Sequence, residues 1–308
     1  MEPLIEVWAS VPATIANLNV GFDALGLALT TPRERMRARR LPTREVRILL
    51  SEGAELPTRP EENVAGVAAL SALELGQADF GVELLIDKRV KPGSGLGSSA
   101  SSAVAAALAV SALLERPLSR REILRCALDG EALVSGARHA DNVAPALFGG
   151  LCLNTPDGVI TPLPTPPWHL VAHHPQYTLR TAEARAALPS HVPLGTTSAA
   201  AAWMGLFVSA CYRGEWEEAA VALQDLYVGP ARAHLIPAFE VCRKTALGAG
   251  ALSGGISGSG PSTFWICLDE ETAINVQDAL LEACAQEGVK AQSYLAQVDA
   301  QGAFIEAG

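Results

Sequence analysis

Apolar residues recur along this chain with two periods, and the changes between them set out the order of its elements. IEVWASV (residues 5–11) and residues 19–29 alternate as strands do, with the turn-rich PATIANL between them. VRILL (46–50) is a further strand. After a polar loop, ENVAGVAALSALELG carries apolar residues at helical spacing, its start marked by Pro60 and Glu61. VELLID (82–87) returns to the strand pattern. Glycines and serines fill residues 91–101, and a small-residue helix runs from 98 to about 114, closed by Pro117. SRREILRCALDGEALVSG is a second helix with Ser119 at its N-cap and Glu122 at capping-box spacing, and a short helix and strand follow in ARHADNVAPALFGGLCLN.

Five prolines and little periodicity mark residues 155–167, which places a domain boundary there and divides the chain into residues 1–160 and 161–308. Beyond it the pattern reads strand WHLVAHH, helix TAEARAAL, helix GTTSAAAAWMGLFVSACY, helix EWEEAAVALQDLY and helix PAFEVCRKTALG. Strands GALSGGIS and STFWICL, helix ETAINVQDALLEACAQEG and strand VKAQSYLAQV complete the chain. Two βα units flanking two adjacent strands predict an α+β sandwich of ferredoxin-like connectivity with an inserted helical segment. The turn between the paired strands, GGISGSGPS, holds four glycines where a hairpin needs one or two. It is either a plain turn or a place of close backbone approach.

Composition narrows the function. With 308 residues, 49% hydrophobic, the chain can fill two cores, and its net charge of −10 argues against nucleic acid and anionic membrane as partners. The only basic run is at residues 33–40, so any phosphate must be recognised locally. Glu2 and Glu6 stand where a secretory leader would be positive, and no wholly apolar stretch is long enough to span a bilayer, so a cytoplasmic location is expected. The six cysteines lie far apart without CxxC spacing and read as reduced core residues.

The candidate chemistry gathers around KPGSGLGSSAS (residues 91–101). A strand turning through glycines into a helix N-terminus leaves backbone N–H groups pointing outward with the positive end of the helix dipole behind them, which is an anion cradle. No Lys follows the last glycine, so this is not the common phosphate loop, and the spacing is not the dinucleotide fingerprint. A surface turn capped by Ser98 or Ser99 is the plain alternative. Asn17 and Asp23 are either a turn-stabilising pair or ligands. Glu131 is either a solvated helix residue or a ligand, and His139, Asp141 and Asn142 cluster at an element junction where Asp141 could also cap the next helix.

PATIANLNVGFDALG, GSGLGSSAS and SGGISGSGPS, in that order, resemble the three motifs of the GHMP family of small-molecule kinases across essentially the whole chain. TAEARAALP, RHADNVAPALFGG and RAHLIPAF resemble the branch of that family that phosphorylates a hydroxyl-bearing amino acid. The resemblance implies a two-domain α+β fold, an N-terminal domain of the ribosomal-protein-S5 type with a left-handed βαβ unit joined to the ferredoxin-like half. It implies ATP in the cleft between the halves, under Lys91, Pro92, Gly93, Ser94, Gly95, Leu96, Gly97, Ser98, Ser99, Ala100 and Ser101, with Gly258, Ser259 and Gly260 opposite and Asn63 near the adenine. Ser98 and Glu131 would hold Mg2+, and both offer oxygen, as a hard cation prefers. The loop departs from the family at its entry, where Lys91 stands in the usual proline position and the proline is Pro92. Arg185 and Arg232 would bind the acceptor's carboxylate, Asp23 with Asn17 its ammonium, and His139 would also contact it. Either Asp141 acts as a base or Asn142 orients the hydroxyl, and the loose transition state of phosphoryl transfer favours orientation. Members of this branch often form homodimers.

Overall fold

The computed structural model describes residues 4–51, 55–135 and 138–307. Glu2 and Gly136, both used in reading the sequence, lie outside these. The strands are β1 (Glu6–Ala16), β2 (Leu25–Leu41), β3 (Val46–Leu50), β4 (Gly81–Asp87), β5 (Leu151–Asn154), β6 (Ile160–Leu163), β7 (His169–Pro175), β8 (Ser253–Ile256), β9 (Thr263–Cys267), β10 (Ala291–Gln297) and β11 (Phe304–Ile305). The helices are α1 (Val64–Leu75), α2 (Ser98–Leu113), α3 (Arg120–Ser135), α4 (Val143–Phe148), α5 (Thr181–Ala186), α6 (Leu194–Arg213), α7 (Trp216–Val221), α8 (Val228–Arg232), α9 (Phe239–Gly248) and α10 (Glu270–Gln286).

Seven strands form the first sheet, with the order β11-β1-β2-β4-β3 and with β5 and β6 attached along the other end of β2. β3 and β4 are parallel and joined through α1, while the other pairs are antiparallel. Helices α1, α2 and α3 cover one face. Alanines and serines of α2 sit in the middle of this layer with almost no exposed surface, and their small side chains let β1, α1 and α3 approach together. The capping box at the start of α3 is reciprocal, Ser119 N donating to Glu122 Oε2 at 2.7 Å and Glu122 N to Ser119 Oγ at 3.3 Å.

The second sheet has the order β10-β7-β9-β8, all antiparallel. Counted within this half the order is 4-1-3-2, the ferredoxin-like arrangement expected from the sequence. Alternation along β7 and β9 divides its side chains between two cores. Val171, Trp265 and Cys267 pack against α9 and α10, whereas Leu170, Ala172, Phe264 and Ile266 face Ile15, Leu25 and Leu27 of the first sheet. One apolar cluster therefore joins the two layers and fixes the cleft between them.

Several elements differ from the sequence expectation. Residues 19–24 are turns, because Asn17, Leu18, Asn19 and Asp23 all take positive φ, and the strand begins at Leu25. It then runs on through the basic segment to Leu41. RERMRARR is a period-2 strand whose Glu34, Met36 and Ala38 point inward. Its outward arginines are matched by acids, Arg33 with Asp299, Arg35 with Glu306 at 2.5 Å and Arg39 with Glu83 at 2.8 Å, so no basic patch results. The helix expected over 215–227 stops at Val221, because the Asp225 carboxylate accepts from the N–H groups of Tyr227, Val228 and Gly229 and starts α8 instead. β6 lies within the proline-rich stretch, and β11 returns the C-terminus to the first sheet beside β1. Among the described residues α6 alone is long and apolar enough to cross a membrane; its C-terminal half packs Phe207, Ala210 and Cys211 into the shared core.

Candidate active site

The three glycine-rich or Asn-rich segments singled out in the sequence meet at one cleft of about 350 Å³ between the sheets. Backbone carbonyls accept in every contact between them. Ser257 Oγ donates to Gly95 O at 2.7 Å, Ser262 N to Ser94 O at 3.0 Å, Gly258 N to Ala16 O at 3.2 Å and Asn17 Nδ2 to Gly258 O at 2.8 Å. A Cβ at Gly95 would stand 2.6 Å from Ser257 O, and one at Gly255 would stand 2.0 Å from Asn19 Oδ1. The second glycine cluster is thus a site of close approach, and what approaches it is the first loop and the turn after β1.

Gly97 is the N-cap of α2 at φ +68, and no side chain caps the helix. Neither Ser98 nor Ser99 takes that role. Instead Ser98 Oγ donates to Val90 O at 2.7 Å, and the opening turn of α2 faces the cleft, lined by Gly93, Gly95, Gly97, Ser98 and Ser99. The rest of the loop serves its shape. Ser94, Leu96, Ala100 and Ser101 are buried, Ser101 Oγ donating to Pro12 O and Gly97 O. Pro92 lines the cleft, whereas Lys91 is exposed on the other side of the loop, beside His174. Gly258 and Ser259 line the cleft from the facing turn, and Gly260 lies behind them against Ile236.

Lys88, not anticipated from the sequence, anchors this arrangement. Its ammonium is buried and donates to Glu34 Oε1 at 2.8 Å, to Ser98 O at 2.9 Å and to Ser102 Oγ at 2.8 Å, tying β4 and β2 to the first turn of α2. Burial lowers its pKa and the nearby Glu34 opposes that. A lone Lys at the end of a strand carries no local signal. Only the fold shows that Glu34, within the basic run, points inward to meet it.

Glu131 of α3 lines the same region of the cleft. Burial pushes its carboxyl up to about 7, and a hydrogen bond with Ser99 and the charge of Lys88 work against that rise. The helix residue is therefore a cleft residue and not a solvated one. Asn63 lines the cleft but its amide is engaged as the N-cap of α1, accepting from Ala65 N at 2.9 Å and donating to Pro57 O at 2.7 Å.

At the other end of the cleft stand Asn17, Asp23, His139, Arg185 and Arg232, all brought together as the sequence reading required. Asn17 Oδ1 accepts from Asp23 N at 3.0 Å, which holds Asp23 in its positive-φ turn. Arg185 faces Asp23 at 3.3 Å, and His139 Nδ1 stands 4.0 Å from the same carboxylate. Arg232 is almost fully buried, its Nε donating to Ala184 O at 2.9 Å and its Nη1 to Gly258 O at 3.0 Å. Burial and the neighbouring Arg185 lower its pKa. Phe22, to which the sequence reading gave no site role, lies under both guanidinium groups at 5.8 and 5.5 Å.

Asp141 and Asn142 lie at the start of α4, between the two ends. Asn142 Oδ1 accepts from Thr14 Oγ1 at 2.7 Å, which leaves its NH2 group as the donor toward the cleft. Thr14 is buried on β1 at the register shift after Pro12 and was not marked in the sequence. Burial first, and the charge of Asp23 second, push the Asp141 carboxyl up to about 6. It does not cap α4 through its own side chain beyond accepting from Asn142 N at 3.1 Å.

Comparison with known proteins bears on the family and the fold. Residues 63–150 match the model of the GHMP kinases N terminal domain, and residues 207–286 match that of the GHMP kinases C terminal domain. A homoserine kinase of Xylella fastidiosa (strain 9a5c) is 38% identical over 299 residues, which cover 96% of this chain and 93% of that protein. A homoserine kinase of Xanthomonas campestris pv. campestris (strain B100) is 37% identical over 305 residues, covering 98% and 94%. The crystal structure of homoserine kinase from Cytophaga hutchinsonii ATCC 33406 superposes with a TM-score of 0.95 at 33% identity and covers 99% of each chain. The L. major mevalonate kinase solved with R-mevalonate shares the fold, with a TM-score of 0.70 at 18% identity.

Proposed function

This chain belongs to the GHMP kinase family, and from that premise we propose that its cleft transfers the γ-phosphate of ATP to the side-chain hydroxyl of L-homoserine, giving O-phospho-L-homoserine and ADP. The observation that carries the reading is the polarity of the cleft. One end offers helix N–H groups among glycines, and the other offers two arginines and a carboxylate, with Asn142 between them. Triphosphate fits the first end, where the dipole of α2 and the backbone of Gly93, Gly95 and Gly97 favour anions. Leu56, Pro57 and Val64 form an apolar wall beside it for the adenine.

An amino acid zwitterion fits the second end. The loose Arg185 to Asp23 pair is the charge image of that zwitterion, so the acceptor's carboxylate would take Arg185 and Arg232 while its ammonium would take Asp23. His139 borders the same space. Asn142, with its carbonyl held by Thr14, would donate to the acceptor hydroxyl and aim it at the phosphorus. Alignment and charge neutralisation supply most of the rate in a loose transition state, so Asn142 orients the nucleophile without a dedicated base, and the hydroxyl proton passes to an oxygen of the transferred phosphoryl group as the bond from phosphorus to ADP breaks.

Ser98 and Glu131 fit Mg2+, since both line the cleft, both offer oxygen, and a cation would offset the burial that raises the Glu131 carboxyl. When bound, the cation would neutralise charge on the phosphate oxygens. Lys88 holds the first turn of α2 and adds positive potential there. The same reading assigns residues 1–160 and 161–308 to the two halves of the kinase, with β11 crossing back, and places the reaction in the cytoplasm. Incubation with ATP, Mg2+ and L-homoserine followed by 31P NMR tests it. One phosphomonoester should appear on homoserine for each ADP, and free phosphate as the sole product would refute the transfer.

A further inference from the structure

Outside the cleft, where the second sheet packs against its own helices, three soft donors converge. His173 comes from β7, Cys242 from α9 and Cys284 from α10, and each is at most 3% exposed. Cys242 Sγ lies 3.5 Å from Cys284 Sγ, His173 Nε2 lies 3.2 Å from Cys284 Sγ, and all three donor atoms fall within 4.8 Å of one another. They are distant in sequence, and only the pairing of β7 with α9 and α10 across one core brings them together.

The orientation of the imidazole is set from outside. His173 Nδ1 stands 2.7 Å from Ser293 Oγ on β10. With Nδ1–H donated to that hydroxyl, Nε2 presents its lone pair toward the two sulfurs, which is the tautomer and the outer hydrogen bond that histidine metal ligands use. A tetrahedral ion with metal–sulfur bonds of about 2.3 Å and metal–nitrogen bonds of about 2.0 Å holds its donors roughly 3.5–3.8 Å apart. Cys284 Sγ stands within a few tenths of an ångström of those separations from both partners, while Cys242 Sγ and His173 Nε2, which lie within 4.8 Å of each other, would close by up to about 1 Å around the ion.

We propose that His173 Nε2, Cys242 Sγ and Cys284 Sγ form a structural site for one thiophilic d10 cation, Zn(II) or Cu(I), independent of the kinase cleft. Two thiolates and an imidazole suit such an ion and are unsuited to Mg2+. Binding exchanges two thiol protons, released to solvent, for two metal–sulfur bonds and one metal–nitrogen bond, with no change of oxidation state. The two ions differ in what else they require. Zn(II) takes a fourth donor and, among the described residues, no further His, Cys, Asp or Glu joins the three. Cu(I) is satisfied by a trigonal set. The bound ion would tie β7, α9 and α10 together, and α9 follows within seven residues of Arg232, so the same clip would steady the segment that carries the carboxylate ligand.

The test is an anaerobic titration of the reduced full-length protein with Cd(II), as the divalent probe, and with Cu(I), read by sulfur-to-metal charge-transfer absorption and by metal content after desalting. One equivalent of either ion should bind, Cd(II) uptake indicating the divalent class and uptake of Cu(I) alone the monovalent one. Cys242→Ser and Cys284→Ser should each lower retained metal at least tenfold, Ser293→Ala should weaken affinity ten- to a hundredfold, and Cys211→Ala should leave it unchanged. X-ray absorption on the loaded wild-type protein, which needs no variant to fold, should show two sulfurs and one nitrogen. No stoichiometric uptake of either ion, uptake unaffected by Cys242→Ser, or an all-oxygen shell would each overturn the proposal and leave a core of hydrogen-bonded thiols.

Discussion

Replacing Gly97 by alanine separates the phosphate cradle from an ordinary turn. Two costs arise at this position. Its φ of +68 is a conformation that costs a residue with a Cβ about 1–2 kcal/mol. The new Cβ would also lie 1.9 Å from Thr14 Oγ1 and 3.0 Å from Asn142 Oδ1, with Thr14 fully buried and unable to swing away. Overpacking of this kind costs about 1–3 kcal/mol, and losing the Thr14 to Asn142 hydrogen bond adds about 1 kcal/mol. The sum is about 3–6 kcal/mol. It will divide between unfolding and displacement of the loop, and every 1.4 kcal/mol taken up at the loop is a factor of ten in kcat/KM. Gly158 provides the control, because it has φ +84 with nothing within 4 Å of a Cβ. Gly158→Ala should cost only the conformational part and leave kinetics untouched. In a coupled ADP-release assay with parallel thermal melts, Gly97→Ala should lose at least a hundredfold in kcat/KM for ATP, and Thr14→Ala in the same chain should recover part of it. A Gly97→Ala enzyme within twofold of wild type, or one matched by Gly158→Ala, would refute the argument that this glycine seats the loop.

Arg232→Ala should raise KM for homoserine at least tenfold and leave KM for ATP nearly unchanged, and Arg232→Lys should recover little because Lys cannot reproduce the fork that meets Ala184 O and Gly258 O; equal effects on both substrates would remove it from the carboxylate site. Asp141→Asn should keep at least a tenth of kcat if Asn142 only orients the hydroxyl, while loss of nearly all kcat with intact binding and folding would make Asp141 the base. The contribution of Glu131 and Asp141 to the stability of the free protein should fall as pH rises between about 4 and 7, by up to about 3 kcal/mol each, since both bind protons more tightly folded than unfolded. Urea titrations of Glu131→Gln against wild type should show a flatter profile for the variant; parallel profiles would mean that the carboxyl is not held protonated by burial.

Much of this molecule could be read from its sequence because the local signals and the global fold agree. The alternation in WHLVAHH and STFWICL, the capping box at Ser119 and the paired glycine clusters all led to elements that exist. Features decided by partners far away were harder to read. The arginine run became a strand only because Met36 and Ala38 find a core and the outward arginines find Asp299, Glu306 and Glu83 from other segments. The helix after Trp216 ended early because Asp225 competes for backbone N–H groups, a choice that helix periodicity does not record. At the site, the glycine segments and the polar cluster at His139, Asp141 and Asn142 stood out as residues, whereas Arg185 and Arg232 were reached only through the family resemblance. Thr14, Phe22 and Lys88 did not stand out, since each acts through a neighbour that only tertiary structure supplies: Asn142, the arginine pair and the first turn of α2.

The acceptor preference tests the central claim most directly, because the charge pattern of Asp23, Arg185 and Arg232 was matched to a zwitterion with a hydroxyl one carbon further out than that of serine. Coupled ADP release should be measured at saturating ATP with L-homoserine, L-serine, L-threonine and mevalonate across a range of concentrations. Homoserine should give a kcat/KM at least a hundredfold above each of the others, and a higher value for mevalonate, which has no ammonium group for Asp23, would contradict the assignment.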